Sequence, residues 1–210
     1  MRWISIIQTG AEARARADEA EDEALQTTFR LAGGGAIHVE RTRALTAIDV
    51  DLGERSGASG KTAVRAANLA ALGVAARVLR LKGLGGLVVV DLVGRRHDAA
   101  AMMSQARGAF GPDNPGVIIA PISRFGTLEI AVPRRSTPAI EILTGGGEQP
   151  TPATLALRLV RRLEREARAD PGGRFEAAAP APVYEAAIVA VSMANAVLGG
   201  RLSIRRESGP

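Results

Sequence analysis

The stretch 44-ALTAIDVD-51 decides the fold, because it is an apolar run that ends on carboxylates. A second run of the same kind, 84-LGGLVVVDL-92, follows after one helical segment. Two strands joined by a crossover helix are expected to lie side by side and to end at the same edge of one sheet. We therefore expect Asp49 and Asp91 to meet there. Paired carboxylates can hold Mg²⁺ while most of its positions stay with water and phosphate.

The residues around these runs predict further elements of the same sheet. Residues 36–40 are β-rich and are separated from 44–51 by three polar residues, which predicts a hairpin. Apolar residues recur at helical spacing over residues 62–81, which predicts the crossover helix. Residues 87–92 are almost wholly apolar, as expected for a strand buried on both faces. Two more strands are predicted on either side of Ser123-Arg124-Phe125-Gly126, and these are 116–122 and 127–132.

The remaining segments complete an α/β (α+β) chain with a mixed sheet and flanking helices in the core, plus a small α-β-α-β subdomain. We expect a short strand at 3–8, a surface helix over 11–30 and a helix at 95–109. The helix over 11–30 carries the acidic patch 18-DEAEDE-23, which we expect to face away from a binding groove. Residues 133–152 hold four of the eleven prolines and suggest a linker. The predicted subdomain elements are 153–168, 174–178, 183–198 and 201–206.

The predicted domains are an N-terminal segment (residues 1–32), a core (33–145) and a small subdomain (146–210). The chain has 210 residues, a net charge of +5 and only two lysines, Lys61 and Lys82. Arginine forks suit phosphate contacts, although an Ala/Arg/Gly-rich composition also follows from a GC-rich genome. The absence of cysteine excludes disulfides and thiolate zinc sites. We find neither a signal peptide nor an uninterrupted apolar stretch of about 20 residues, and we expect a cytoplasmic chain without membrane contact.

The acidic residues admit two interpretations. Asp49 and Asp51 lie two apart on one strand and share a face, so that three oxygen donors, with Asp91, could converge on one ion. The ion would withdraw charge from a phosphate oxygen and help to generate hydroxide from water. In the simpler interpretation, aspartates at strand ends only cap the turns that follow. The spacing leaves both open.

Three segments together resemble the catalytic core of the ribonuclease E/G family. They are 33-GGGAIHVERTRALTAIDVD-51, 67-ANLAALGVAARVLRLKGLGGLVVVDLV-93 and 122-ISRFGTLEI-130. Their motifs occur in the family's order and at near-family spacing over roughly residues 31 to 145. The tail from residue 150 is similar to that family's small subdomain, more weakly. We therefore expect a member of this family.

The resemblance implies a Mg²⁺-dependent endoribonuclease that cuts single-stranded RNA and leaves a 5′-phosphate. It assigns metal binding to Asp49 and Asp91, and it places Asp51 where the family usually has asparagine. It also places Arg124 and Phe125 near the RNA path. In the alternative for Phe125, the ring fills a core that is poor in aromatic residues.

The chain departs from the family pattern in several places. The S1 barrel and the 5′-end sensor have no room before Gly33, and the zinc-link motif is absent because there is no cysteine. Gly94 stands where a second acidic residue is usual. We therefore expect a minimal or truncated member whose RNA affinity comes from its own arginines or from a separate RNA-binding partner, with a homo-oligomer as a further possibility. The alternative function is a degenerate module that binds RNA or a ribonuclease partner without cutting.

The remaining candidates are basic residues and histidines. Lys61 and Arg43 are candidate RNA contacts. The loop 53-GERSGASGKT-62 also invites a nucleotide-binding P-loop interpretation, but Arg55 stands where the motif needs glycine. His97 is either a proton shuttle or a surface histidine, and we take His38 as structural. The run 158-RLVRRLERE-166 is either an RNA-facing basic helix or an ordinary solvated face.

Overall fold

The computed structural model describes residues 10–53, 60–94 and 96–207, except for the side chain of Ala11. The described chain divides into two compact units. One unit lies within Glu23–Ala139, and the other combines residues 10–22 with residues 140–207. The units thus divide the predicted N-terminal segment after Asp22. They also begin the C-terminal unit six residues earlier than the predicted boundary between 145 and 146.

The helices and strands alternate through most of the chain. In chain order they are α1 (Gly10–Leu25), β1 (Thr28–Arg30), β2 (Ala36–Arg41), β3 (Leu45–Asp51), α2 (Gly60–Lys82), β4 (Gly86–Asp91), α3 (Ala99–Phe110), β5 (Ile118–Ile119), β6 (Thr127–Val132), α4 (Ala139–Thr144), α5 (Pro152–Ala169), β7 (Phe175–Ala179), α6 (Ala181–Leu198) and β8 (Leu202–Arg206). The fold class is the predicted one, an α/β chain with a mixed sheet and flanking helices.

The larger unit contains a six-stranded sheet in the order β1-β2-β3-β4-β6-β5. The predicted hairpin is present as the antiparallel pair β2–β3. The strands β3 and β4 are parallel, since α2 carries the chain back between them. The other pairs in this sheet are antiparallel. The parallel pair at the centre therefore brings the ends of the two aspartate-bearing strands together.

Only one face of this sheet is packed against the core. Side chains of alternating residues on the four central strands are buried on that face, and they include Ile37, Ile48, Val90 and Ile130. The helix α2 supplies a stripe of small and branched residues to the same core cluster. The opposite face alternates between half-buried and exposed residues. The prediction that the strand at 87–92 is buried on both faces is therefore wrong, because Leu87, Val89 and Asp91 lie on the more open face.

Three other predictions need correction, and two fall outside the described residues. The helix predicted over residues 11–30 ends at Leu25, and β1 then pairs with β2. The predicted linker 133–152 contains the short helix α4. The strand predicted at 116–122 is only Ile118–Ile119. The predicted strand at 3–8 and most of the loop before α2 lie outside the described residues.

The second unit has its own small core. The strands β7 and β8 form a parallel pair joined by α6, and α5 and α6 pack their apolar sides on it. The Asn195 side chain ties this crossover together, because its amide donates to Leu202 O at 2.8 Å and accepts from Leu202 N at 2.8 Å. The elements α5, β7, α6 and β8 are the predicted α-β-α-β tail.

Two described helices, α2 and α6, are long and apolar enough to cross a membrane by length and composition alone. In α2 the most apolar window is 44% buried, and its buried residues belong to the core cluster under the sheet. This is the pattern of a core helix in a packed domain. The window in α6 is 28% buried, and Val189, Met193 and Val197 of that helix are exposed.

Candidate metal and RNA site

Asp49 and Asp91 are direct neighbours across the parallel pair β3–β4. They are register partners, and each lies at or near the carboxyl end of its strand. Neighbouring strands lie about 4.8 Å apart, and register partners in a sheet point to the same face. Both residues are on the open face and are exposed. The two carboxylates are therefore close enough to share one ion.

The same row of the sheet continues on both sides of the aspartate pair. His38 is the register partner of Asp49 on β2, and Thr127 is the partner of Asp91 on β6. His38 Nδ1 lies 3.0 Å from Thr28 Oγ1 on the edge strand β1. The row thus contains hydroxyl, imidazole and carboxylate groups on one face, and the carboxylates lie at its centre.

Asp51 shares this face but has a local structural role. Its Oδ1 accepts a hydrogen bond from the Gly53 backbone N–H at 2.9 Å, which is an Asx turn at the end of β3. The turn packs against Gly35, where φ is +81° and an added Cβ would lie 2.4 Å from Asp51 O. Among the described residues, no group of three or more His, Asp or Glu could hold a metal ion. One oxygen of Asp51 therefore has the turn-capping role, and the convergence of three carboxylates on one ion stays a prediction.

The segment Ser123–Gly126 forms a tight turn beside Asp91. Gly126 N–H donates to Ser123 O at 3.0 Å, and Ser123 Oγ lies 2.7 Å from Thr127 Oγ1. Gly126 has a φ of +92°, and an added Cβ would lie 3.1 Å from His97 Nε2. The positive φ favours glycine at this position. The turn therefore holds its two central residues, Arg124 and Phe125, at a defined place next to the aspartate row.

Arg124 and Phe125 both face solvent at this turn. The Phe125 ring is 77% exposed, and the Arg124 guanidinium carbon lies 4.8 Å from the ring centre. The alternative that Phe125 fills the core is therefore wrong. A cation over an aromatic ring is favourable even at exposed sites. The pair presents a positive charge and a flat apolar surface together.

The two other predicted RNA contacts lie in different places. Lys61 is exposed in the first turn of α2 and lines a cavity with Gly94, which follows β4. Arg43 is exposed in the turn before β3, six residues before Asp49. At about 3.3 Å per residue, that puts it roughly 20 Å from the aspartate pair. The structure thus brings Lys61 towards the carboxyl edge of the sheet and leaves Arg43 at the opposite end.

The loop after β4 is held by polar contacts that the sequence did not reveal. Asn68 of α2 is fully buried, and its side chain bonds both Val93 O and Val93 N at 3.0 Å. Asp98 accepts from Arg65 Nε at 3.1 Å and from Ala101 N at 3.1 Å. The Ala101 N–H, followed by Arg65, lowers the pKa of Asp98 below its usual range. In the sequence, Asn68 stands out only as a polar residue within the apolar stripe of α2.

Three arginines of the basic run 158–166 make ion pairs with α1. Arg158 Nε donates to Glu21 of the acidic patch at 2.6 Å, and Arg161 contacts both Glu21 and Asp18. Arg165 also pairs with Asp18. These positive charges are therefore largely neutralised within their own unit. Neither interpretation of this run from the sequence included the pairing with α1.

The comparison with known sequences gives the family. The profile of the Ribonuclease E/G family matches residues 8–135, more than half of the chain. This segment contains the aspartate pair and the turn at Ser123–Gly126. The chain therefore belongs to the ribonuclease E/G family.

Individual relatives agree with this assignment. Ribonuclease E of Haemophilus influenzae is 37% identical over 158 residues, which covers 70% of this chain and 17% of that protein. Ribonuclease E of Escherichia coli is 34% identical over 174 residues, with 77% of this chain and 16% of that protein covered. A chloroplastic ribonuclease E/G-like protein of Arabidopsis thaliana is 33% identical over 105 residues, covering 48% of this chain and 10% of that protein. The chain thus spans less than a fifth of these relatives' length.

Proposed function

We propose that this chain is a Mg²⁺-dependent endoribonuclease unit that cuts single-stranded RNA. The observation that supports this most directly is the register of Asp49 and Asp91 on the open face of the sheet. Membership of the ribonuclease E/G family supports the same reaction class. The proposed reaction adds water across one phosphodiester bond, so that one product carries a 5′-phosphate and the other a 3′-hydroxyl.

The residues present fit a magnesium ion. Mg²⁺ is commonly bound by one or two carboxylates and keeps its remaining positions for water and substrate phosphate. Asp49 and Asp91 provide two exposed carboxylates on one face. When bound, the ion would supply positive charge to a phosphate oxygen and favour deprotonation of water. Asp51, with one oxygen engaged by Gly53, is left with an indirect role at this site.

The turn beside Asp91 can contact a part of the RNA strand other than the phosphate at Asp49 and Asp91. Arg124 can donate to a phosphate oxygen, and the Phe125 ring can stack on an unpaired base. Single-stranded RNA exposes both groups at once, whereas the bases of a duplex are covered. The exposed Arg124–Phe125 pair therefore supports a single-stranded substrate over a double-stranded one.

The test is cleavage of a labelled AU-rich single strand by the purified chain, with Mg²⁺ or with EDTA. We expect products only with Mg²⁺, and we expect Asp49→Asn and Asp91→Asn each to abolish them while the melting temperature changes little. Little change in stability is expected because both side chains are exposed. Glu40→Gln is the matched control, since it removes another exposed carboxylate from the same face. Wild-type rates in either aspartate variant would eliminate the proposal.

A second candidate is an RNA-binding module that does not cut. The observation that favours it is that, within the described part of the chain, no group of three or more histidine, aspartate or glutamate side chains is arranged to hold a metal ion. In this case the labelled strand binds, and no product forms with excess Mg²⁺ or Mn²⁺. Failure of all metal-dependent cleavage together with retained binding would select this second function.

A further inference from the structure

The open face of the sheet continues from the aspartate pair towards the strands β2 and β1. His38 of β2 is the register partner of Asp49, and Thr28 of β1 is the register partner of His38. Neighbouring strands lie about 4.8 Å apart, so the His38 side chain begins one strand away from Asp49. The turn Ser123–Gly126 lies on the other side of the aspartate pair, at the start of β6. The pair therefore has the exposed turn on one side and His38 with Thr28 on the other.

The His38 ring is oriented by one contact and keeps one nitrogen for a ligand. Its Nδ1 lies 3.0 Å from Thr28 Oγ1. The ring forms no other hydrogen bond within the part of the chain that the structure describes. Unlike the ring nitrogens of His97, Nε2 of His38 is not sealed from solvent. A half-buried imidazole therefore presents Nε2 on the open face, next to the proposed metal ligand Asp49.

An arginine without an ion pair lies farther along the same edge. Arg30 follows Thr28 by two residues on β1, so that both side chains share the open face. Arg30 is exposed, and it pairs with no carboxylate among the described residues. Because β1 is the edge strand of the sheet, an RNA strand that leaves the open face on this side passes Arg30. A guanidinium at this place suits a phosphate contact.

The chemistry at His38 favours a neutral hydroxyl over a phosphate. A neutral imidazole nitrogen donates or accepts a hydrogen bond according to its tautomer, and a hydroxyl matches both cases because it can donate and accept. A phosphate oxygen only accepts, and beside Asp49 it would also meet a carboxylate of the same sign. In a nucleic acid, the ribose 2′-hydroxyl is the neutral group that distinguishes RNA from DNA.

We propose that His38 bonds the 2′-hydroxyl of the nucleotide next to the phosphate at Asp49 and Asp91, and that Arg30 contacts a phosphate farther along the same strand. His38 thereby selects RNA over DNA, and Thr28 positions its ring. The proposal deepens the proposed function and rests on it for the identity of the ligand as an RNA strand. The RNA then crosses the open face from the turn Ser123–Gly126 to the edge strand β1.

The test uses a labelled AU-rich RNA strand and a series of copies, each with one ribose replaced by 2′-deoxyribose. In Mg²⁺ we expect the wild-type chain to cut one member of the series about three- to tenfold more slowly, the effect of one lost hydrogen bond. His38→Phe keeps a ring and removes both nitrogens, and it should cut this member and the all-RNA strand at the same rate. Thr28→Val, which removes only the orienting hydroxyl, should reduce the difference.

Affinity in EDTA gives a readout that does not depend on cleavage. We expect the same deoxy strand to bind about three- to tenfold more weakly to the wild type, and as well as the all-RNA strand to His38→Phe. The all-RNA strand should also shift the ring-nitrogen NMR signals of His38, which are assigned by their loss in that variant. Arg30→Gln should reduce the salt slope of RNA affinity by about 0.7. Arg107→Gln, at an exposed position of α3, should leave it unchanged.

A wild-type chain that treats every deoxy strand like the all-RNA strand would overturn the proposal, and so would a deoxy effect of equal size in His38→Phe. Thr28→Val carries the same comparison if the melting temperature shows that His38→Phe is unfolded. A chain that cuts RNA without any deoxy effect keeps the nuclease function and lacks this contact. A chain that never cuts, but binds one deoxy strand more weakly through His38, keeps the contact and loses the nuclease function.

Discussion

The role of Phe125 depends on whether its ring is buried or exposed. Its ring stands 77% exposed at the turn and is covered on one side by Arg124. An aromatic residue in a chain with only 3% aromatics would ordinarily be used to fill the core. Its exposure therefore favours a contact surface. Stacking of bases on such rings contributes about 1–3 kcal/mol per base.

We expect Phe125→Ala to weaken binding of single-stranded RNA by about 1–3 kcal/mol in EDTA, because a stacking surface is lost. Phe125→Tyr should bind like the wild type. The measurement is fluorescence anisotropy of a labelled strand. The control is Ile118→Ala, which removes another apolar side chain that is 69% exposed on the same sheet. An alanine variant with wild-type affinity would remove Phe125 from the RNA path.

At the scale of single elements, the helix α5 shows why a charge run is ambiguous. Its arginines could contact RNA, solvent or another helix. The spacing of the residues in the sequence suggested only the first two. In the folded chain, Asp18 and Glu21 of α1 accept their hydrogen bonds. The side chain of Arg161 is only 20% exposed and touches both carboxylates. Arg161 therefore contributes to the stability of the folded chain.

We expect Arg161→Met to lower the free energy of unfolding by about 2 kcal/mol, because two partly buried carboxylates lose a charged donor. Arg162→Met is the control, since Arg162 is 56% exposed and makes one pair with Glu166 at 3.8 Å. Urea unfolding of both variants measures the difference. RNA affinity should be alike in the two. A larger loss of RNA binding in Arg161→Met, with stability unchanged, would return the helix to the RNA-facing interpretation.

Across the whole molecule, the net charge of +5 is distributed unevenly. Three arginines of α5, Arg158, Arg161 and Arg165, are paired with acids of α1, and others pair singly, as Arg77 does with Glu23. In contrast, Arg124 is exposed, and its guanidinium lies over the Phe125 ring. Salt dependence of RNA binding should therefore report on a small number of arginines and not on total charge.

We expect the logarithm of the RNA affinity to fall linearly with the logarithm of salt concentration. Arg124→Gln should reduce the steepness of that line by about 0.7, the value for one phosphate contact on a single strand. Arg162→Gln, from the helix α5, should leave the slope unchanged. Titrations at several salt concentrations in EDTA give the slopes. Equal slopes for wild type and Arg124→Gln would show that Arg124 does not contact phosphate.

The local pattern of the chain determined most of the elements and the placement of the aspartate pair. Apolar runs of period two, a helix of period 3.6 between them and carboxylates at the run ends were sufficient, because each depends on residues close in sequence. The predicted boundaries of the helices and strands are wrong where tertiary contacts compete with local preference. The residues of β1 extend because they pair with β2, although the preceding sequence is strongly helical.

Only the tertiary structure decided which groups meet. Asp51 caps the turn after β3 by accepting a hydrogen bond from Gly53 N–H, Phe125 was placed in solvent by its turn, and Arg161 was joined to an acidic helix about 140 residues earlier in the chain. His97 was placed beside Gly126, and its ring nitrogens have no hydrogen-bond partner among the residues that the structure describes. These outcomes depend on distances between residues far apart in sequence, and periodicity carries no information about such distances. The sequence by itself determined the sheet and its acidic edge, whereas packing across the chain determined what surrounds that edge.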